Sequence, residues 1–156
     1  GNGKCMILRV VSEPSMQTIR IYQEEDQNEV LALWHECNLI HSKNDPQKDL
    51  GRKKGFGEEL FLVLVNEDKI IGTVMGGYDG HRGIINYLGV HPNFRGNGLG
   101  RMLMRAVEKK LRDLGCPQVN LLVWSDNTEV HKFYEKTDYK KANDIVLFRK
   151  RLIEDE

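Results

Sequence analysis

The residues with the clearest chemical potential are the run Arg95-Gly96-Asn97-Gly98-Leu99-Gly100, which lies between an apolar stretch, Ile84 to Val90, and a strongly amphipathic one. A strand that runs into a Gly-rich turn and then a helix gathers unpaired backbone N–H groups around one point, with the positive end of the helix dipole behind them. Such a turn is an anion socket. Gly96, Gly98 and Gly100 remove side chains that would keep the backbone away from a phosphate oxygen, and Arg95 and Arg101 can add charge-assisted hydrogen bonds at the edges. Spacing excludes two familiar uses of the socket. A P-loop needs Gly-Lys-Ser/Thr at its end, but Gly100 is followed by Arg101-Met102. A dinucleotide fingerprint needs Gly-x-Gly-x-x-Gly, and counted from Gly96 the last position falls on Arg101. The alternative is that these glycines only build a tight strand-to-helix connection.

The pattern around the turn says what must position it. Thr18 to Tyr22 reads as a strand, and Glu25 to Cys37 as a first helix with apolar residues at Val30, Leu31, Leu33 and Trp34. Asp45 can cap a short second helix that Pro46 starts and the glycines at 55 and 57 end. Leu60 to Val65 and Lys69 to Met75 are β-rich runs joined by Asn66-Glu67-Asp68, a hairpin. Gly76, Gly77, Gly80 and Gly83 crowd a polar loop with His81 and Arg82. Ile84 to Val90 is a mostly apolar run, which predicts a strand covered on both faces in the middle of the sheet. The helix after the socket should bury Leu99, Leu103, Ala106, Val107, Leu111 and Leu114, and Gly115 and Pro117 end it. Val119 to Trp124 is then a parallel strand reached by a right-handed crossover. Asn127 to Lys136 is a further helix, and Ile145 to Phe148 a last strand.

Composition bounds the function. A chain of 156 residues is the size of one domain, and 23 basic against 23 acidic side chains give no field that would draw nucleic acid. Cys5, Cys37 and Cys116 are too few and too scattered for a disulfide framework or a zinc cluster, so no metal is expected and a reducing cytoplasm is. No apolar run reaches membrane-spanning length, and no secretory leader is recognisable, so no membrane partner is expected. Residues 1–15 read as an N-terminal extension or added segment, with Met6 to Val11 either disordered or an extra edge strand; the domain is taken as 16–156.

Arg95-x-x-Gly98-x-Gly100 resembles motif A of the GNAT superfamily of N-acetyltransferases, and Leu88-Gly89-Val90-His91-Pro92 resembles that family's lead-in. Asn127-x-x-Val130-x-x-Phe133-Tyr134 is similar to its motif B, with Val130 replacing a small residue and Thr137-Asp138-Tyr139 replacing the usual hydrophobe, Gly and Phe. Asp138 should accept the left-handed conformation that ends the helix. Asn44-Asp45-Pro46 and the run from Val74 to Gly83 are similar to the small bacterial acetyltransferases of the YpeA type.

The resemblance implies a single-domain α/β GNAT fold. Its mixed, mostly antiparallel sheet would splay between the fourth and fifth strands and carry helices on both faces. It implies acetyl-CoA as cofactor, coenzyme A as product, and direct transfer to a primary amine of a small molecule or of a peptide or protein. The implied cofactor-binding residues are Leu88, Gly89, Val90, Arg95, Gly96, Asn97, Gly98, Leu99, Gly100, Arg101, Asn127 and Tyr134. Gly89 would make the bulge that frees Leu88 and Val90 for the pantetheine arm. Tyr134 would be the general acid, since a phenol with a pKa near 10 can protonate a departing thiolate. No acid lies on the strand from Val119 to Trp124, so Tyr87, Asp79 and His81 are left as candidate bases, direct or through water. Trp34, Asn38, His41, Asn44 and Asp45 stand on the surface that sets the acceptor in this family, with Trp34 read as core and Asn44 and Asp45 as caps. A homodimer through the Val146-Leu147-Phe148 edge is consistent with the family. The rival reading is a non-catalytic sensor or scaffold that binds acyl-CoA.

Overall fold

The computed structural model describes residues 17–155 apart from Ser42. The extra strand considered at Met6 to Val11, and the boundary near residue 15, lie outside them. Five strands form one sheet in the order of the sequence: β1 (Gln17–Ile21), β2 (Phe61–Asn66), β3 (Lys69–Tyr78), β4 (Gly83–Val90) and β5 (Val119–Leu121). Successive neighbours are antiparallel except β4 and β5, which are parallel. The connections dictate this. Only Glu67 and Asp68 separate β2 from β3, and both take positive φ (48° and 66°), the twist of a type I′ hairpin turn. β4 reaches β5 through the long helix α3 (Leu99–Asp113), the crossover a parallel pair requires.

The sheet is covered on both faces. On one, α3 packs Leu103, Met104, Val107 and Leu111 against Leu62 and Leu64 of β2, Val74 of β3 and Ile85 of β4. On the other, α1 (Gln27–Glu36) and α2 (Pro46–Lys53) bring Val30, Leu33, Trp34 and Leu50 onto Phe61 and Val63. β2 is therefore apolar at every position from Phe61 to Leu64. Asp45 caps α2 as its sequence suggests, its Oδ1 accepting the Lys48 N–H at 3.1 Å with Pro46 at the first helical position.

Several expectations need correction. β3 runs on to Tyr78, so Gly76 and Gly77 lie within a strand rather than a loop. At Gly76 a Cβ would sit 2.7 Å from a methyl of Val107, so the glycine lets α3 lie close to the sheet. The turn that follows is held by Asp79, whose Oδ1 accepts the N–H groups of His81 and Arg82. β4 is fourth of five strands rather than central, and Ile84 and Asn86 are exposed because α1 and α2 leave that stretch uncovered. On α3, Met104 is buried and Leu114 is not, since the helix ends at Asp113. β5 stops at Leu121, with Leu122 and Trp124 exposed. Residues 145–148 form no strand: they are exposed, and none of their backbone groups pairs with another among the described residues. Apolar composition supplies β-propensity, but a strand needs a partner edge.

Candidate active site

The socket is built where β4 gives way to α3. Gly98 adopts the left-handed conformation (φ 75°), which turns the chain into the helix, and its carbonyl accepts the first helical bond, from Met102 N–H at 3.1 Å. The N–H groups of Leu99, Gly100 and Arg101 therefore have no acceptor within the helix, and no side chain among the described residues caps them. Gly96 is also left-handed (φ 83°), and a Cβ on either Gly96 or Gly98 would meet nothing within 4 Å. The space beside these amides is open, as a phosphate-holding turn requires. The three glycines do not all serve that one purpose, contrary to the sequence expectation. Gly96 and Gly98 are required by backbone conformation, whereas a Cβ on Gly100 would press on the Phe133 ring at 3.2 and 3.3 Å. Gly100 is where the following helix, α4 (Thr128–Lys136), docks onto the first turn of α3.

The side chains of the turn mostly hold the turn itself. Arg95 donates from Nε to the Val90 carbonyl at 3.0 Å, and Asn97 donates from Nδ2 to the Phe94 carbonyl at 3.1 Å. Arg101 reaches the other way, to the Lys136 carbonyl at the end of α4 (3.3 Å), and Leu99 is buried in the core. Of these four, Arg95, Asn97 and Arg101 stay exposed. His91 is a turn residue, its Nδ1 accepting the Asn93 N–H at 3.1 Å.

The sheet opens beside the socket. Only Gly83, Ile84 and Ile85 of β4 pair with β5, so from Asn86 to Val90 the strands diverge. A bulge lies in this stretch, at Tyr87 rather than Gly89: Thr73 opposes Gly89 and Met75 opposes Asn86, which leaves Val74 facing both Tyr87 and Leu88. Tyr87 has φ 49°, a left-handed conformation costing a bulky residue about 1 kcal/mol or more. Three contacts hold it there. Its ring stacks on Trp34 with centroids 3.8 Å apart, its carbonyl accepts the Thr73 hydroxyl at 2.8 Å, and its own hydroxyl donates to Asp49 Oδ2 at 2.5 Å. Thr73 in turn accepts Trp34 Nε1–H at 2.9 Å, so all the buried polar groups here are paired. Gly89 is instead a packing glycine, since a Cβ would come 2.7 Å from Leu39.

Beyond the bulge, His91 N–H bonds to Ile71 of β3, and strand alternation turns the backbone groups of Leu88 and Val90 toward the gap. The Val90 carbonyl is already taken, by Arg95 and by the Cys37 thiol at 3.4 Å. The Val90 N–H and the Leu88 backbone are the parts of this edge that face the opening.

α4 supplies the other wall. Asn127 precedes it, exposed, with no side-chain bond to the helix. Phe133 and Tyr134 meet edge to face (5.1 Å), and Tyr134 meets Tyr139 in the same way (5.6 Å). Among the described residues the Tyr134 hydroxyl has no hydrogen-bond partner, and burial pushes its pKa up to about 12. The helix ends in the left-handed turn expected at Asp138 (φ 70°), and the Tyr139 hydroxyl is fixed on Glu108 at 2.6 Å. Among the candidate bases, Asp79 is a turn former whose backbone hydrogen bonds hold its carboxyl below the usual range. His81 is exposed in the same turn. Tyr87 is pushed far above the ordinary tyrosine range by burial and by its bond to Asp49. The structure brings Asp49, Thr73 and Cys37 to the splay, none of which the sequence singled out. Their types are ordinary, and only the register of β3 against β4 and the seating of α2 put them there.

With this geometry in place, comparison with known proteins is specific. The acetyltransferase (GNAT) family model matches residues 18–139, and the chain belongs to that family. An acetyltransferase of Sodalis glossinidius is 46% identical over 138 residues, 88% of this chain and 97% of its own length. One of Yersinia enterocolitica is 49% identical over the same span. Among solved structures, an aminoglycoside N-acetyltransferase in complex with CoA has a TM-score of 0.73 at 17% identity, covering 91% of this chain and 99% of its own. The ribosomal-protein-S18-alanine N-acetyltransferase of Escherichia coli has a TM-score of 0.66 at 21% identity, covering 82% of this chain and 80% of its own. At such identities the structural likeness is one of fold. No helix among the described residues is long and apolar enough to cross a membrane.

Proposed function

We propose that the chain transfers the acetyl group of acetyl-CoA directly to a primary amine of a small molecule or a peptide. The observation that carries the reading is the row of unpaired amides at Leu99, Gly100 and Arg101 beside open space, following the end of β4 where its pairing with β5 has stopped. The pyrophosphate fits that row, with Gly96 and Gly98 supplying the turn around it and Arg95 and Asn97 bracing it. The pantetheine arm fits the gap between β4 and β5, where the Leu88 backbone and the Val90 N–H can bond to it as an added strand does. Gly89 keeps its place between them, and Asn127 faces the arm from α4.

In the transfer, the amine nitrogen forms its bond to the acetyl carbon while the carbon–sulfur bond breaks and its electron pair leaves on sulfur. A backbone N–H of β4 stabilises the charge that develops on the carbonyl oxygen. Tyr134 gives the sulfur a proton and is reprotonated from water, and the attacking nitrogen gives up one of its own protons to water. Its raised pKa keeps the phenol protonated at neutral pH, and a hydroxyl without a competing partner is available for the purpose.

Purified protein and its Tyr134→Phe variant are to be assayed for coenzyme A release with an amine panel, alongside calorimetric titration of coenzyme A. Tyr134→Phe should lose roughly a hundredfold in turnover while holding coenzyme A within about threefold of the parent. Equal turnover in the two proteins removes Tyr134 as the acid.

A further inference from the structure

Resting on the acetyl-transfer reading above, we infer that Asp49 is the anionic end of the acceptor site and selects acceptors that arrive as protonated amines. One side of the splay is closed, because α3 and the Phe133–Tyr134 edge of α4 pack there against the sheet. An amine must therefore reach the gap from the face that carries α1 and α2. On that face the carboxylate hydrogen-bonded to β4, among the described residues, is Asp49 on the inner side of α2.

The two oxygens of Asp49 are in different circumstances. Oδ2 is fixed by the Tyr87 hydroxyl, and Tyr87 is the bulge residue next to Leu88, whose backbone faces the gap. The carboxylate is thus tied to the distorted strand segment itself. Among the described residues Oδ1 has only Arg52 near it, at 3.8 Å, which is beyond hydrogen-bond distance. The Arg52 fork is spent elsewhere, on both oxygens of Asp155 at 2.9 and 2.7 Å. Among the described residues Asp49 thus keeps one carboxylate oxygen without a hydrogen bond, partly open to solvent, with the Arg52 guanidinium at ion-pair distance. That arrangement suits docking of a –NH3+ donor, which gives up one proton to water before its nitrogen attacks the acetyl carbon. Neighbouring Asp45 does not share it, since its Oδ1 caps α2 through the Lys48 N–H.

The test is a calorimetric titration of four probes, spermidine, L-lysine, kanamycin and a glycyl peptide amide, into protein saturated with coenzyme A. Coenzyme A affinity is measured first on every variant. At least one probe should bind the parent, and Asp49→Asn should bind it roughly tenfold or more weakly, with coenzyme A affinity unchanged. Asp45→Asn removes the same charge from the same helix and keeps its cap, and it should stay within about twofold of the parent. Tyr87→Phe, which frees Oδ2 without altering charge, should weaken the amine by about threefold and serves if Asp49→Asn melts early. Equal amine affinity in parent, Asp49→Asn and Tyr87→Phe overturns the assignment. So does a lack of heat from all four amines while coenzyme A still binds, which leaves the cofactor reading standing. Loss of coenzyme A binding in the parent itself would instead remove the reading on which Asp49 depends.

Discussion

Replacing Gly98 by alanine isolates the conformation that the socket demands. Its φ of 75° lies in the left-handed region, and the Cβ added there would touch nothing within 4 Å, so the whole cost is conformational. That cost is roughly 1–2 kcal/mol for a non-glycine residue. In a domain of this size about 1 kcal/mol corresponds to a fall in melting temperature of roughly 2–4 °C. Gly51 is the internal control. It lies inside α2, exposed, with no neighbour within 4 Å and no positive φ, so the same substitution there replaces a poor helix former with the best one. Gly51→Ala should stabilise by about 0.5–1 kcal/mol. The pair of melting curves, recorded by differential scanning calorimetry, should therefore move in opposite directions from the parent. Coenzyme A titrated into Gly98→Ala should bind more weakly, because relief of the strain rotates the amide of Leu99 out of the row. A Gly98→Ala protein as stable as the parent, with unaltered coenzyme A affinity, would refute the reasoning from φ to socket.

Two further perturbations probe the scaffold. Thr73→Val strands the buried Trp34 Nε1–H and deprives the Tyr87 carbonyl of its donor, so it should cost about 2 kcal/mol or more in urea denaturation, while Thr73→Ser should recover most of that. The bidentate pair of Arg20 with Asp26, at 2.7 and 2.9 Å, together with the Gln23 N–H holds the Asp26 carboxyl below its usual range. A depressed native pKa means that the stabilisation is present above the unfolded value, near 3.9, and is lost as pH falls through the lower native one. Melting temperatures should thus drop more steeply below about pH 4 in the parent than in Asp26→Asn, and parallel curves would exclude the pair as a source of acid sensitivity.

Much of this architecture was legible because the pattern was periodic. The apolar spacing of α3 marked its buried face through Leu99, Leu103, Val107 and Leu111, and Asp45-Pro46 marked the start of α2. The turn was legible because glycine takes the left-handed conformation of Gly96 and Gly98 more readily than any other residue. The bulge was misplaced for the complementary reason. Gly89 looks permissive yet pairs regularly, while Tyr87, a residue with no intrinsic taste for positive φ, carries the distortion because Trp34, Thr73 and Asp49 hold it. Those partners come from three separate elements, so no local window contains the signal. The apolar run at 145–148 failed for a related reason: its pairing edge would have to come from elsewhere in the chain, and β5 is only three residues long.

On the proposed function, the amides of Leu99 to Arg101 are the ones that meet the cofactor's phosphates. In 15N-labelled protein titrated with coenzyme A, the largest amide shift changes should fall on residues 98–101, with a second group at Leu88 and Val90. Changes confined to another face of the sheet, with residues 98–101 unmoved at saturation, would contradict it.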